Sequence, residues 1–325
     1  MDRDPWAPSD PLGEALYPLR MSGAYYCRSE LTAPWGLTLP PMQGYMWFHA
    51  VTDGGCRLET EGADDVRLRP RDFALVPHGE GHVLRSDPDA LAPPILSLPL
   101  ERVSDRYEVL RHGGGGPSTT LICGAVRFHH PAARDLIALM PRVIHLDAAA
   151  TLESGWLHTA LELMASEART LRPGGETVIT RLSDVLVVQA IRAWIHRDPA
   201  ARRGWLGALD DPQVGRAISL IHRDPSRPWT VSSLADEVSM SRSAFAARFA
   251  ELVGESPIAY LTRWRMHVAS EWLAEDGRTV SQVAGQLGYG SEAAFSRAFK
   301  RVIGAPPSSL AAGDAGSPTP DQGSG

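Results

Sequence analysis

Apolar and polar positions alternate along the first third of the chain, and a helical rhythm runs through the rest. Residues 24–29, 45–51, 56–59, 66–68, 73–76, 82–84, 95–98 and 121–128 read as short strands separated by turn residues. Asp53-Gly54-Gly55 reads as a hairpin turn between two of them. Many short strands with turns between them predict a barrel or jelly roll over residues 12–130. Beyond Pro131 the period changes. Leu152, Trp156, Leu157, Ala160, Leu161 and Met164 form a stripe on a helix starting near Thr151. Leu182, Val185, Leu186, Gln189 and Trp194 form a second stripe on a helix over residues 177–196. Arg172-Pro173-Gly174-Gly175 separates the two. Helices this long either cover the open face of a small barrel or pair with a second subunit. Residues 198–203 read as a linker.

The C-terminal third carries a duplicated pattern. Phe245, Phe249, Gly254 and Pro257 recur as Phe295, Phe299, Gly304 and Pro307, each fifty positions later. Leu234, Ala235 and Val238 precede the first copy; Val283, Ala284 and Leu287 precede the second, forty-nine positions on. Each copy reads as helix, tight turn, helix. Thr230 and Thr279 cap the first helices, and Ser241 and Ser291 cap the second ones. The phenylalanines point to the core, glycine stops the helix and proline opens the next. Two helices joined by a three- or four-residue turn are the geometry that seats a helix in a DNA major groove. Residues 257–274, with Ile258, Leu261, Arg265, Ala269 and Trp272 along them, form one amphipathic helix that would hold the two units apart.

Residues 212–310 resemble the DNA-binding domain of the AraC/XylS family of bacterial transcription regulators. The resemblance rests on Leu234-Ala235, Ser241, Phe245, Arg248-Phe249, Gly254, Ser256-Pro257, Tyr260-Leu261, Arg265-Met266, Ala269, Trp272-Leu273 and Val280. It continues through Val283-Ala284, Gly288-Tyr289, Ser291, Phe295-Ser296-Arg297, Phe299-Lys300, Gly304 and Pro307. Ser309-Leu310 departs from the family's closing aromatic and arginine. Ala33-Pro34-Trp35-Gly36-Leu37, Phe48-His49 and Pro77-His78-Gly79 resemble the cupin-type sensor domain joined to such regulators. Pro77, Gly79 and His82 match the second cupin motif. The implied architecture is a two-domain α+β chain. Residues 1–11 form a disordered tail, 12–206 a cupin-like β-barrel with helical dimerisation segment, 211–310 an all-α domain of two helix-turn-helix units joined by a long helix, and 311–325 a second disordered tail.

The implied function is a cytoplasmic, sequence-specific transcription regulator. Its partners would be double-stranded DNA, a small-molecule effector in the cupin-like domain, a second copy of the chain, and RNA polymerase. Ser241 and Ser291 would position phosphates at helix N-termini. Arg242, Ser243, Ala247 and Arg248 would face the groove from the first recognition helix, and Glu292, Ser296, Arg297 and Lys300 from the second. An arginine such as Arg248 reading guanine contributes about 1–3 kcal/mol of discrimination.

Composition narrows this reading without changing it. The chain is 43% apolar and 22% charged, enough for packed cores, with a net charge of −6 that disfavours indiscriminate nucleic-acid binding. Residues 211–310 carry eleven Lys/Arg against ten Asp/Glu, so the acidity lies in the N-terminal part. Cys27, Cys56 and Cys123 form no CxxC pair and suit a reducing compartment. No apolar run reaches the ~20 residues of a membrane span.

Two other classes of function compete: a metal-dependent cupin enzyme with a DNA-targeting domain, and an unspecific nucleoid protein. The near-neutral charge of residues 211–310 argues against the second. Against an enzyme, the chain has no paired carboxylates, phosphate-binding glycine loop or nucleophile motif. Residues 113–116 read as a flexible glycine loop. In the barrel, His49 and His82 are candidate pocket-lining residues. With His78 and Cys123 they form a candidate ligand set for zinc or another divalent metal.

Overall fold

The computed structural model describes residues 21–128, 133–147, 155–170, 172–198, 204–275 and 278–311. Both expected tails except Ala311, the helix start at Thr151 with Leu152, and most of the linker lie outside them. The chain divides into two compact units, one built on residues 20–129 and 136–201, the other on 202–325.

Among the described residues the first unit holds eleven strands: β1 (Met21–Thr32), β2 (Gly36–Leu39), β3 (Tyr45–Asp53), β4 (Cys56–Thr60), β5 (Val66–Leu68), β6 (Phe73–Val76), β7 (His82–Arg85), β8 (Leu100–Arg102), β9 (Tyr107–Gly113), β10 (Ser118–Phe128) and β11 (Ile144–Leu146). Seven make one sheet in the order β11-β6-β3-β10-β1-β9-β8, and four make another, β2-β7-β4-β5. Side chains from both sheets fill one interior, with Cys27, Trp35, Leu37, Trp47, Leu58, Leu84, Leu121 and Cys123 all buried. Burying this apolar surface drives the sheets together.

Three expectations change here. Residues 95–98 are not a strand; Pro93 and Pro94 lack the N–H donors a ladder needs, and Ile95–Ser97 is a single 3₁₀ turn. Asp53-Gly54-Gly55 is not a hairpin, because β3 belongs to the larger sheet and β4 to the smaller, so the turn carries the chain between sheets. Residues 113–116 are a pinned bend. Gly114 N–H donates to the Thr32 carbonyl and Gly116 N–H to that of Ala33, both at 2.8 Å, while Gly115 N–H reaches the Thr32 hydroxyl at 2.9 Å. Gly113 is required there. Its φ is +136°, and a Cβ would stand 1.9 Å from the Thr32 carbonyl oxygen.

Helices α1 (Ala133–Leu139), α2 (Gly155–Thr170) and α3 (Gly175–Arg197) follow the main run of strands. α2 buries Leu157, Leu161, Met164 and Ala168. Its last turn is fastened to the larger sheet, where Arg28 donates to the Ala168 carbonyl at 3.0 Å and the Tyr107 hydroxyl to the same oxygen at 3.4 Å. α3 buries Ile179, Leu186, Val187, Ala190, Ile191 and Trp194. Its buried face is rotated from the expected stripe, leaving Val185 48% exposed.

The second unit is helical: α4 (Gly204–Ala208), α5 (Pro212–Arg223), α6 (Val231–Glu237), α7 (Arg242–Val253), α8 (Pro257–Glu275), α9 (Val280–Gln286), α10 (Glu292–Ile303) and α11 (Ser308–Ala311). The long α8 is its axle, burying Tyr260, Leu261, Trp264, Ala269 and Leu273. Ile258, expected on that stripe, is instead exposed. Arg265 of α8 donates to the carbonyls of Pro225 at 2.7 Å and Arg227 at 2.8 Å, tying the α5–α6 loop to the axle.

Candidate nucleic-acid interface

The two halves of the helical unit are built by the same local rules. Thr230 and Thr279 each close a capping box, Thr230 with Ser233 and Thr279 with Gln282. Leu234 and Ala235 on α6, and Val283 and Ala284 on α9, are buried against the second helix of each pair. The turns match atom for atom at their tightest point. Met240 N–H donates to the Ala235 carbonyl and Tyr289 N–H to that of Ala284, both at 2.9 Å. Ser239 and Gly288 hold the left-handed position in these turns, with φ +57° and +76°. Gly290 is the extra residue that shifts the register from forty-nine to fifty.

Helices α7 and α10 begin alike. Ser241 accepts from Ala244 N–H at 3.3 Å and Ser291 from Ala294 N–H at 3.2 Å. Both serine hydroxyls are therefore engaged in capping, which leaves the orphan N–H groups of the first turn for an anion. The helices also end alike, at Gly254 (φ +86°) and Gly304 (φ +87°). Phe245 and Phe249 lie 5.6 Å apart centroid to centroid, as do Phe295 and Phe299, and all four are fully buried.

With the phenylalanines inward, the opposite face is fixed by 100° per residue. On α7 it comprises Ser243, Ala247, Ala250 and Glu251, with Ala246 at its flank; on α10 it comprises Ala293, Arg297, Lys300 and Arg301, with Ser296 at its flank. All are exposed except Ala246 and Ser296, which are half-buried. Arg242 and Glu292 lie at the first position of each helix and are exposed. Ala246, Ala250 and Ala293 were not expected on these faces; the fifty-residue offset from Ser296, Lys300 and Ser243 could have found them.

Arg248 is exposed at the edge of this face, and its guanidinium is tethered. Its fifty-residue counterpart is Ala298, which is buried. The guanidinium turns back toward α5, where Nε and Nη2 donate to Asp211 Oδ2 at 3.2 and 3.1 Å while Nη1 donates to Glu251 at 3.1 Å. Asp211 Oδ1 meanwhile caps α5, accepting from Gln213 N–H at 3.1 Å and Val214 N–H at 2.9 Å. Burial alone would raise the Asp211 carboxyl, but the Val214 amide and Arg248 together hold it below its ordinary value. Arg297 and Lys300 are drawn into no ion pair among the described residues.

Inside the barrel, three of the four candidate ligands meet. His49 is fully buried, with Nδ1 3.0 Å from Cys123 Sγ and Nε2 2.7 Å from His82 Nε2. His82 Nδ1 lies 3.3 Å from the Glu80 carbonyl. The carbonyl can only accept, so His82 Nδ1 carries a proton and its Nε2 accepts from His49 Nε2–H. His49 Nδ1 must then accept from the Cys123 thiol. Burial supports this protonation pattern. It pushes His82 down to about 4, holds His49 well below its ordinary value with His82 adding to the effect, and drives the Cys123 thiol up.

His78 stands apart from this relay, bonded to the Met140 carbonyl at 3.0 Å. The set therefore does not fit a zinc ion. His49 spends opposite nitrogens on its two neighbours, and imidazoles sharing a tetrahedral zinc would place their nitrogens roughly 3.3 Å apart. Among the described residues no group of three or more His, Cys, Asp or Glu is arranged to hold a metal. Cys27, Cys56 and Cys123 are all free thiols, although Cys27 and Cys123 are paired across β1 and β10. Among the described buried barrel residues, the polar atoms Trp35 Nε1, Trp47 Nε1, Thr60 Oγ1 and the Tyr26 hydroxyl have no hydrogen-bond partner.

Comparison with known proteins agrees with this division. Residues 10–196 match the Cupin family and residues 234–312 match the Helix-turn-helix domain. The chain is 39% identical over 266 residues to an AraC-like transcription regulator of Streptomyces lividans, covering 80% of this chain and 84% of that one. It is 33% identical over 302 residues to an AraC-like transcription regulator of Streptomyces antibioticus, covering 92% and 97%. It is 31% identical over 259 residues to the HTH-type transcriptional regulator AlkR of Acinetobacter baylyi, covering 78% and 83%.

Proposed function

Because this chain belongs to the AraC-like transcription regulators, its cupin domain preceding its helix-turn-helix domain, we propose that α7 and α10 enter successive major grooves on one face of its operator. The observation that carries this reading is the repeated helix pair, held by one axle. Recognition helices so held would engage grooves about one helical turn, ~34 Å, apart. The free N–H groups at both helix starts would meet phosphates. Arg297 would read a guanine edge in place of the tethered Arg248, and Lys300 would contact the backbone. Arg248 acts as a positioning residue that sets α7 against α5.

The barrel is the seat of control in this reading. The orphaned indole N–H groups of Trp35 and Trp47 and the Thr60 hydroxyl lie among the residues that fill it. Buried polar atoms without partners are costly, and a small molecule bearing hydrogen-bond acceptors would relieve that cost. The protein would work as a homodimer in the cytoplasm.

Binding to DNA upstream of its own gene, against scrambled DNA at several salt concentrations, tests the proposal. A preference of ~10³-fold or more is expected. Arg297→Ala should relax base preference, whereas Lys300→Ala should weaken all sequences alike and flatten the salt dependence. Equal loss on specific and scrambled DNA for both variants would refute this division of labour.

A further inference from the structure

The two recognition helices share an architecture and differ in surface chemistry. Each runs twelve residues, from a serine cap to a left-handed glycine. The face of α10 directed away from its core presents a hydroxyl, a guanidinium and an ammonium, from Ser296, Arg297 and Lys300. At the same three positions α7 presents only methyl groups, from Ala246, Ala247 and Ala250. The long cation closest to this face, Arg248, is held by Asp211 and Glu251.

An alanine-faced helix cannot exchange hydrogen bonds with base edges. It can, however, approach the groove floor closely at these three positions, because none of them carries more than a methyl, and the exposed Glu251 beside them is drawn to Arg248. The apolar feature a B-DNA major groove offers is the 5-methyl group of thymine, and alanine is a natural contact for it. On the DNA-reading role proposed above, we infer that the half-site under α7 is specified by thymine methyl groups packed against Ala246 and Ala247, while the half-site under α10 is specified by hydrogen bonds from Ser296 and Arg297. One protein thus reads its two half-sites by different physics. The α7 half is recognised by desolvation of methyl groups and the α10 half by donor and acceptor pattern. Ser243 also lies on the alanine face, and its short hydroxyl bonds equally to several bases, so it adds little discrimination.

The test exploits uracil, which pairs as thymine does and lacks the methyl group. The full-length protein is first given a random DNA pool and its selected sites are sequenced. The selection is repeated with Arg297→Ala, and the half whose preference disappears belongs to α10. Uracil then replaces thymine in one half-site at a time. In the α7 half, affinity should fall about fourfold for each contacted methyl removed. In the α10 half the change should stay below about twofold, since the hydrogen-bonding edges are untouched. Ala247→Gly, with binding to scrambled DNA as its folding control, should reduce the uracil penalty under α7. Selected sites that tolerate uracil under α7 without loss would overturn this inference and leave the regulator reading intact. Failure to select any sequence would overturn both.

Discussion

His49 and His82 are two neutral imidazoles bonded inside a barrel core. Both titrate at lower pH when folded than when unfolded. The unfolded chain takes up protons below about 6.5, while folded His82 resists until about 4. Stability is therefore complete above pH 6.5 and is lost as pH falls toward 4, by roughly 3 kcal/mol for His82 alone. Denaturant unfolding at pH 7.5, 5.5 and 4.5 checks this. The double variant His49→Gln/His82→Gln should show a flatter pH profile, and an unchanged profile would mean other groups carry the acid sensitivity. Motif spacing had brought out His49 and His82, and the structure joins them. Spacing could not show that His78 bonds Met140, because that contact spans 62 residues. Nor could it show the tether of Arg248 to Asp211, which lies 37 residues earlier. Arg248→Ala should lower the melting temperature while leaving the sequence selected from a random pool unchanged; an altered selection would return Arg248 to the base-reading set.

At the scale of single elements, the helical half was legible because its signals are local and written twice. Caps, αL glycines and buried phenylalanines all fall within one or two turns of what they control. The barrel was less legible. β2, β8, β9 and β11 have short or mixed patterns, and which sheet a strand joins depends on partners far away in sequence. The duplication also supports a prediction that needs both copies. Ser239 and Gly288 occupy the same left-handed position, and only Gly288 does so without steric cost. Ser239→Gly should therefore stabilise the first pair by roughly 0.5–1 kcal/mol, and Gly288→Ser should destabilise the second by a similar amount. Chemical denaturation of the two variants reads both signs, and two changes of the same sign would show that the turns are not equivalent. Phe249→Ala or Phe299→Ala should cost about 3–5 kcal/mol, because each phenylalanine is fully buried against its own pair.

For the whole molecule, the charge balance sets the problem. The net charge is −6, and residues 211–310 carry only a slight positive excess. One copy therefore brings little electrostatic affinity to DNA, and a second copy on the same operator doubles the contacts without adding any new kind of interaction. The first unit leaves apolar side chains exposed. Val178 and Val185 of α3 lie seven residues apart on one stripe, 37% and 48% exposed, with half-buried Leu182 between them. Leu163 of α2 is 46% exposed. The sequence stripe through Leu182 and Val185, which the barrel does not cover, is accounted for if a second copy covers it. Sedimentation equilibrium of the full chain should then give twice the monomer mass, and high salt should not dissociate an apolar seam. Val178→Glu/Val185→Glu should shift the mass toward one chain and weaken operator binding, while leaving the melting of the helical unit in place. If the double variant sediments as the wild type does, α3 is not the seam. If wild type is itself monomeric, operator affinity must come from one pair of recognition helices alone, and the salt dependence of binding should then report few phosphate contacts.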